Sequence, residues 1–372
     1  MHFQIDRKLF QLAIQRCLNI VEKSNTKPCL ANVLLRTEEN RLLLTATDME
    51  LSIHTKIDAE VIEQGSITVA AKTLYDLLRE WINVDTIQVI LENQKLNMRS
   101  GRSMVGLKTI PADEYPVIHQ EISGTEITIP SGVLAEMIAA TKFSISDDTT
   151  RLHLTGLLIE GSAEHGLRLV STDAHRLSFC QYELEPPLDI EEPVQIIVPK
   201  KAVQEFQRLS EDFEEQDATL TLGTRHIQLR IGAHSVSSKI IDARYPLYEE
   251  VLPSNNSLKI TLPKKEFDQI LRRFIVLANE FTHDVRATFS DNALHLVTVN
   301  KDQEIAEDFL ALQYQGEEIN IGMNARYIRD VLAVLQTDMV EMELEMVKAP
   351  ILISEVALGI EKKFIVMPLA IQ

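Results

Sequence analysis

Short runs of alternating apolar and polar residues recur along the chain, and a helical pattern follows several of them. The first run covers residues 1–5, Met-His-Phe-Gln-Ile, and comparable runs cover 126–130 and 259–263. Alternation with a period of two predicts a half-buried strand, whereas apolar residues three and four apart predict an amphipathic helix. Each run therefore predicts a strand that leads directly into a helix.

Each third of the chain contains a second strand-to-helix step, beginning near Ser66, Gln195 and Glu318. Further alternating runs, at 41–48, 166–173 and 293–300, predict antiparallel strands because turn-forming residues precede them. Prolines stand where two of the strands give way to helices. That position suits proline, since the first helical N–H has no acceptor within the helix.

Equivalent positions keep a steady spacing, which indicates three copies of one unit. Asp48 and Asp173 lie 125 residues apart, and Pro130 and Pro263 lie 133 residues apart. Turn-forming residues are concentrated at 122–125 and 253–257, where compact domains are expected to be joined. We therefore predict three domains, which cover residues 1–125, 126–254 and 255–372.

The composition is that of a globular protein with two or three cores, since 45% of the 372 residues are hydrophobic and 25% are charged. No apolar run approaches the roughly 18 residues that span a bilayer, and the start lacks a signal-peptide pattern. We expect a cytoplasmic protein. Cys17, Cys29 and Cys180 form no C-x-x-C pair and are predicted to be reduced packing residues.

The formal net charge of −18 argues against nucleic-acid binding unless the positive charge is segregated. The six predicted helices carry 16 Lys and Arg residues against 9 Asp and Glu residues, so the rest of the chain is strongly acidic. Helix propensity favours Glu as much as Lys and Arg, so propensity alone does not explain why the helices hold more basic than acidic residues. Segregation of positive charge onto one surface explains this excess better. A shared basic surface would hold phosphates without reading bases. The predicted helices cover residues 6–23, 70–81, 131–144, 199–210, 263–279 and 324–336.

Several local strings, taken in order and within three repeats, resemble the bacterial DNA polymerase III beta subunit family, the sliding clamps, along the whole chain. The strings are residues 46–50, 99–103, 171–177, 243–248 with 251–253, and 365–369. The resemblance implies an α+β fold of three tandem clamp domains, each with two helices packed on antiparallel sheets. It further implies a head-to-tail homodimer that forms a pseudo-sixfold ring with the helices around the hole.

The function implied by this resemblance is that of a processivity factor, not an enzyme, which needs no cofactor and no metal. Such a ring encircles duplex DNA without sequence specificity and tethers other proteins through a peptide-binding groove. The implied partners are double-stranded DNA, a second copy of the chain, the clamp loader and the replicative DNA polymerase III alpha subunit. The resemblance also implies translesion and repair polymerases and mismatch-repair proteins as partners. It implies no interaction with a membrane.

Three sets of site residues follow from matching this sequence to the family pattern. The DNA-facing set is Lys72, Arg79, Lys142, Arg151, Lys200, Lys201, Lys264, Lys265 and Arg272. The partner-peptide set is Leu154, Thr172, His175, Arg176, Leu177, Pro246, Val251, Ile365, Val366, Met367, Pro368 and Leu369. The dimer-interface set is Arg102, Val105, Leu107, Phe274, Val276, Leu277 and Asp308.

The chemistry of two sets suits these implied roles. Aliphatic side chains and a methionine give an adaptable surface for peptide anchors, and His175 and Arg176 are expected to make polar contacts at its edge. Arg102 is expected to pair with Asp308 across the subunit contact, an interaction of about 0 to 1 kcal/mol. The chain departs from the family pattern at five positions, which are Ser24, Asp147, Asp148, Glu250 and Ala370.

Other classes of function remain open at this point. Asp173 and His175 are two residues apart and would share a strand face, as an acid–base or metal pair of a hydrolase would require. The first repeat has Asp48 and Glu50 in the same place, which favours a structural strand end. An unrelated tandem-repeat scaffold is a third possibility. Residues 99–103 contain one glycine and predict a hairpin instead of a phosphate loop.

Overall fold

The computed structural model describes residues 1–22, 27–116, 122–253, 258–344 and 349–370. The chain divides into two compact units. The first unit comprises Met1–Gly132 and Gln204–Ile240, and the second comprises Val133–Val203 and Ile241–Gln372.

Six α-helices occur in the described residues, and each lies at a strand-to-helix step predicted from the sequence. They are α1 (Arg7–Leu18), α2 (Ala71–Glu80), α3 (Ser131–Thr141), α4 (Lys200–Asp212), α5 (Lys264–Leu277) and α6 (Ala325–Val334). Asp6 caps α1 by accepting the Leu9 N–H at 2.8 Å, and Asn324 caps α6. The sequence predicts Pro263 at the first position of a helix. In the structure Pro263 is the residue immediately before α5.

Twenty-five strands are present in the described parts of the chain. They are β1 (His2–Asp6), β2 (Asn32–Glu38), β3 (Arg41–Thr47), β4 (Leu51–Asp58), β5 (Glu60–Glu63), β6 (Gly65–Ala70), β7 (Thr86–Glu92), β8 (Lys95–Ser100), β9 (Ser103–Ile110), β10 (Thr125–Pro130), β11 (Gly156–Ser162), β12 (Gly166–Thr172), β13 (Arg176–Tyr182), β14 (Val194–Pro199), β15 (Asp217–Leu222), β16 (His226–Ile231), β17 (His234–Lys239), β18 (Leu258–Pro263), β19 (Asp284–Ser290), β20 (Ala293–Val299), β21 (Ile305–Ala311), β22 (Ile319–Asn324), β23 (Met339–Leu344), β24 (Ile351–Ala357) and β25 (Ile360–Val366). The predicted antiparallel strands at 41–48, 166–173 and 293–300 are confirmed as β3, β12 and β20.

The first unit contains a 13-stranded antiparallel sheet. Its strand order is β10-β15-β16-β17-β4-β3-β2-β6-β9-β8-β7-β1-β5. The pairing of β4 with β17, in which Leu51 lies opposite Ser238, joins strands from the first and second thirds of the sequence. The predicted hairpin at 99–103 is confirmed, since β8 and β9 pair and Gly101 in the turn has a φ of 56°.

The second unit contains an eight-stranded sheet and a four-stranded sheet. Their orders are β14-β11-β12-β13-β25-β24-β23-β18 and β21-β20-β19-β22. Strand β13 pairs with β25 along its whole length, from Arg176 opposite Val366 to Tyr182 opposite Ile360. This pairing joins strands from the second and last thirds of the sequence into one sheet.

Helix spacing decides which residues of α5 enter the core. Phe267, Ile270, Leu271 and Phe274 recur three and four apart and are all buried, whereas Val276 is 82% exposed. The three cysteines are free and buried, which confirms them as packing residues. Burial raises the pKa of the Cys17 thiol to about 12.

A buried ion cluster lies in the second unit. The Lys362 side chain is 0% exposed, and its Nζ donates to Glu136 Oε1 at 2.5 Å and to Glu355 Oε2 at 3.1 Å. Glu355 also accepts the backbone N–H groups of Gln336 and Thr337. Burial alone would raise the pKa of Glu355, but these hydrogen bonds outweigh it and lower the pKa below its usual value.

We predict that Lys362→Met destabilises the protein by about 3 kcal/mol, because it leaves the buried Glu355 carboxylate without its cation. The lowered pKa of Glu355 means that its contribution is present above its unfolded-state pKa of about 4.5 and is lost as the pH falls through the lower folded-state pKa. Unfolding in urea between pH 7 and pH 3 should therefore show a smaller acid-dependent loss of stability in the variant. The control is Lys363→Met, at a neighbouring side chain that is 33% exposed; equal destabilisation by both variants would contradict the assignment.

Candidate functional site

The turn between β12 and β13 holds the candidate acid–base pair in a structural role. Asp173 Oδ1 accepts the N–H groups of His175 at 2.9 Å and Arg176 at 3.0 Å. Thr172 Oγ1 donates to the Arg176 carbonyl at 2.6 Å, and Ala174 has a left-handed φ of 74°. The Asp173 carboxylate is thus occupied by its own turn. No group of three or more His, Cys, Asp and Glu side chains suited to a metal occurs in the described residues.

Arg176 is tied into the second unit from three directions. Its Nε donates to Asp173 Oδ2 at 3.0 Å, its Nη1 to Asp330 Oδ2 at 2.6 Å, and its Nη2 to the Phe143 carbonyl at 2.6 Å. The guanidinium also stacks over the Tyr327 ring, with 4.2 Å to the ring centre. The side chain is only 11% exposed. Each guanidinium nitrogen thus has one partner within the chain, which holds Arg176 in place, and its polar contact with a ligand stays a prediction.

The segment after β25 lies beside this turn. The Met367 N–H donates to the His175 carbonyl at 2.9 Å, and the Leu369 N–H donates to the Gly322 carbonyl at 2.8 Å. A side chain at position 322 would stand 2.6 Å from the Leu369 carbonyl oxygen, so glycine permits the close approach. The segment is therefore held at both ends, and it also lines a cavity of about 670 Å³ together with residues of β19 and β20.

The predicted groove residues divide by exposure. Leu154, Leu177, Ile365 and Val366 are buried. Thr172, Arg176, Pro368 and Leu369 are half-buried, and His175, Pro246, Val251 and Met367 are exposed. Leu177 and Ile365 belong to a packed cluster with Tyr245 and Tyr248, and burial raises the pKa of Tyr248 to about 12. In the predicted groove, the buried members would form the floor and the exposed members would provide the surface that a ligand contacts.

Phe143, Tyr327 and Asp330 contact Arg176, and the sequence did not reveal these contacts. A signal was present on α6, because Tyr327 and Asp330 are three residues apart and share a helix face. Asp330 is 154 positions from Arg176 in the sequence, although the two side chains form a hydrogen bond. Periodicity carries no information at that distance.

The predicted DNA-facing residues lie on or beside helices, and several are paired with acids. Lys72 contacts Asp76 at 2.8 Å, and Arg272 contacts Asp268 at 2.7 Å. Arg79 also pairs with Glu80, and Lys264 donates to the Leu335 carbonyl at 2.7 Å. Lys265 is exposed, whereas Lys142 and Lys201 are half-buried.

Two of the three acidic departures from the family pattern, Asp147 and Asp148, pair with basic candidates directly. Asp147 pairs with Lys200 at 2.6 Å, and Asp148 lies 3.6 Å from Arg151. Ser24 lies outside the described residues. Glu250 and Ala370 are exposed. The positive charge available to phosphates is therefore smaller than the count of basic residues suggests.

The predicted interface residues lie on β9, α5 and β21 and in the β8–β9 turn. Val105 and Leu107 are half-buried on β9, and Val276 and Leu277 lie at the end of α5. Phe274 is only 1% exposed and packs into the core, so it is an unsuitable contact residue. Arg102 is exposed in the β8–β9 turn, whereas Asp308 pairs within its own chain with Arg273.

Among the described residues, no helix combines the length and the apolar character needed to cross a membrane.

Comparison with known proteins places all three repeats in one family. Models of the DNA polymerase III beta subunit match as its N-terminal domain over residues 1–119, its central domain over 128–247 and its C-terminal domain over 249–369. A beta sliding clamp of Vibrio cholerae is 34% identical and one of Pseudomonas putida is 32% identical, each over 99% of this chain and 100% of the relative. A solved sliding clamp of Pseudomonas aeruginosa bound to griselimycin is 31% identical, with a TM-score of 0.93 and full coverage of both chains. Three tandem clamp domains and a full-length match therefore place this chain in the bacterial DNA polymerase III beta subunit family, the non-catalytic DNA sliding clamps.

Proposed function

We propose that two copies of this chain close head to tail into a ring around duplex DNA and that the ring tethers DNA polymerases through the groove at His175 and Met367. The observation that carries the proposal is that each unit has a strand with an open edge. Strand β9 pairs with β8 along its length but with β6 only through Thr109 and Ile110. Strand β21 is the outer strand of the four-stranded sheet.

Open strand edges with apolar side chains favour pairing with another chain. On β21, Ile305 is 63% exposed and Phe309 is 62% exposed, and on β9 Met104 is 59% exposed. A contact between two different surfaces of the same chain either closes into a ring or extends into a filament. Three repeats in each of two chains would give the closed, sixfold arrangement of the proposal.

A closed ring needs only weak contacts with DNA. The six helices carry an excess of basic residues, with 14 Lys and Arg against 9 Asp and Glu within their observed bounds. Paired acids reduce this positive field, so phosphate contacts should be weak and independent of base sequence. Weak contacts suit a protein that is held on DNA by topology and has to slide.

The exposed groove residues suit a short linear peptide. His175, Val251 and Met367 combine a polar group with aliphatic and thioether surface, which accommodates hydrophobic anchors. Occupants of this site in our proposal are segments of the replicative DNA polymerase III alpha subunit, of translesion and repair polymerases, and of mismatch-repair proteins. A clamp loader opens the ring, and the complex works in the cytoplasm. The domain boundaries at 125 and 254 are part of the same proposal.

The function is tested by loading the protein with a clamp loader onto nicked circular DNA and then cutting the circle. A topologically held ring stays with the circle through gel filtration and is released after linearisation. Salt that disrupts simple electrostatic binding should leave the circular complex intact. Equal retention on circular and linear DNA would contradict encirclement, and so would immediate loss from the circle.

We predict that Val276→Ala combined with Leu277→Ala converts the dimer to monomers, because removing methyl groups from a packed interface costs about 1 to 3 kcal/mol per residue. Sedimentation should show about twice the 42.1 kDa chain mass for the wild type and one chain mass for the variant. The matched control is Val356→Ala on β24, since Val356 is 76% exposed and lies outside the proposed contact. An unchanged dimer in the double variant would remove α5 from the interface.

We further predict that deletion of residues 368–372 abolishes binding of a polymerase-derived peptide, because it removes the Leu369–Gly322 hydrogen bond and one wall of the groove. Fluorescence polarisation of the labelled peptide measures the loss. Sedimentation of the truncated chain serves as the control and should still show a dimer. Retained peptide affinity in the truncated protein would locate the peptide elsewhere.

A further inference from the structure

The first unit contains a turn built in the same way as the turn at the groove. Asp48 Oδ1 accepts the N–H groups of Glu50 at 2.9 Å and Leu51 at 2.7 Å, the arrangement that Asp173 makes in the second unit. Thr47 Oγ1 donates to the Leu51 carbonyl at 2.8 Å, and Met49 has a left-handed φ of 82°. This turn therefore copies the hydrogen-bond pattern of the turn at residues 172–176.

The strand that follows this turn is also paired in the same register. Leu51 lies opposite Ser238, as Arg176 lies opposite Val366. The Lys239 N–H donates to the Glu50 carbonyl at 2.9 Å, as the Met367 N–H donates to the corresponding carbonyl of the second unit. The junction of β4 and β17 is therefore the structural counterpart of the β13–β25 junction.

A buried tyrosine followed by proline lies under both turns. The Tyr115 hydroxyl accepts the Thr47 N–H at 3.1 Å and is buried. The second unit has Tyr245 and Pro246 at the matching place, and the Tyr245 hydroxyl donates to the Val170 carbonyl at 3.4 Å. The first unit thus has the framework of a groove.

A cavity of about 500 Å³ lies at this junction in the first unit. Its apolar lining includes Met49, which is 43% exposed, the buried Leu51 and the half-buried Ile122. Arg225, Lys239 and Glu50 line it as well, so two basic side chains stand against one acidic side chain. The volume falls within the range of about 300 to 1,000 Å³ that is typical of ligand pockets.

The side chains around this cavity differ in charge from those of the groove. Lys239 stands where the groove has Met367, and Leu51 stands where the groove has Arg176. Arg225 is exposed and has no ion pair in the described residues. Lys239 pairs with Glu50 at 2.8 Å, but both side chains are about half-exposed or more, so a ligand carboxylate could compete for this ammonium.

We propose that this cavity is a second peptide-binding site, which takes an extended segment of a partner protein with an aliphatic residue flanked by acidic residues. The apolar lining would hold the aliphatic side chain, and Arg225 and Lys239 would hold the carboxylates. The chain has a net charge of −18 and therefore repels acidic peptides in general. The basic side chains at the cavity attract such peptides locally, which favours binding at this one place. The proposal rests on the proposed function, because it extends peptide tethering to a second groove.

The test uses the full-length protein and a fluorescein-labelled, acetylated peptide in which Leu-Leu is flanked on both sides by Glu-Glu. Fluorescence polarisation should show saturable binding, and a peptide with glutamine in place of glutamate should bind about tenfold more weakly. Arg225→Glu should weaken binding of the glutamate peptide by about tenfold or more, whereas Arg225→Lys should largely preserve it. Arg230→Glu is the matched control, since it makes the same charge change on β16 outside the cavity.

The two grooves are separated by a second pair of measurements. Deletion of residues 368–372 should leave the glutamate peptide bound, and Arg225→Glu should leave a polymerase-derived peptide bound. Absence of saturable binding, or equal weakening by Arg225→Glu and Arg230→Glu, overturns the proposal of a second site. A third outcome is that the polymerase-derived peptide does not bind, while the glutamate peptide binds and depends on Arg225. That outcome counts against the proposed tethering function but supports the second site.

Discussion

Antiparallel pairing between strands from different thirds of the sequence is the constraint on which the sites depend. In the second unit, β13 and β25 pair from Arg176–Val366 to Tyr182–Ile360. A slip of one residue would turn every side chain of either strand to the opposite face and remove Leu177 or Ile365 from the cluster that they form with Tyr245 and Tyr248. The register is therefore fixed by the core, and the turn and the final segment of the groove inherit their positions from it.

Two buried polar arrangements add specificity to this pairing. Arg176 joins the β13 turn to α6, and Lys362 joins β25 to α3 through Glu136. Apolar packing tolerates small shifts, whereas a buried cation with fixed acceptors does not, because each lost partner leaves a desolvated charge. Lys362 is near the start of β25, and Arg176 lies opposite Val366 at its end, so the two cations hold this strand against its neighbours near both ends.

Local patterns were sufficient to predict the elements, but not the contacts between distant elements. The six helices and the equivalent strands β3, β12 and β20 followed from period, turns and repeat spacing. The family resemblance places Phe274 at the subunit contact, but its spacing from Phe267 and Ile270 places it on the buried face of α5. The partners of Arg176 and the Lys200–Asp147 pair depend on tertiary structure, which a single sequence does not encode in any short window.

The floor of the groove has a consequence for resistance to inhibitors. Leu177 and Ile365 are 4% and 1% exposed and pack in the same cluster as Phe179 and Tyr248. A small molecule that rests on this floor would contact side chains that the fold itself requires. Substitutions that enlarge or fill the floor to exclude the compound would also leave a cavity or overpack the core, at a typical cost of about 1 to 5 kcal/mol. Substitutions that exclude the compound without this cost to folding are confined to exposed positions such as His175 and Val251.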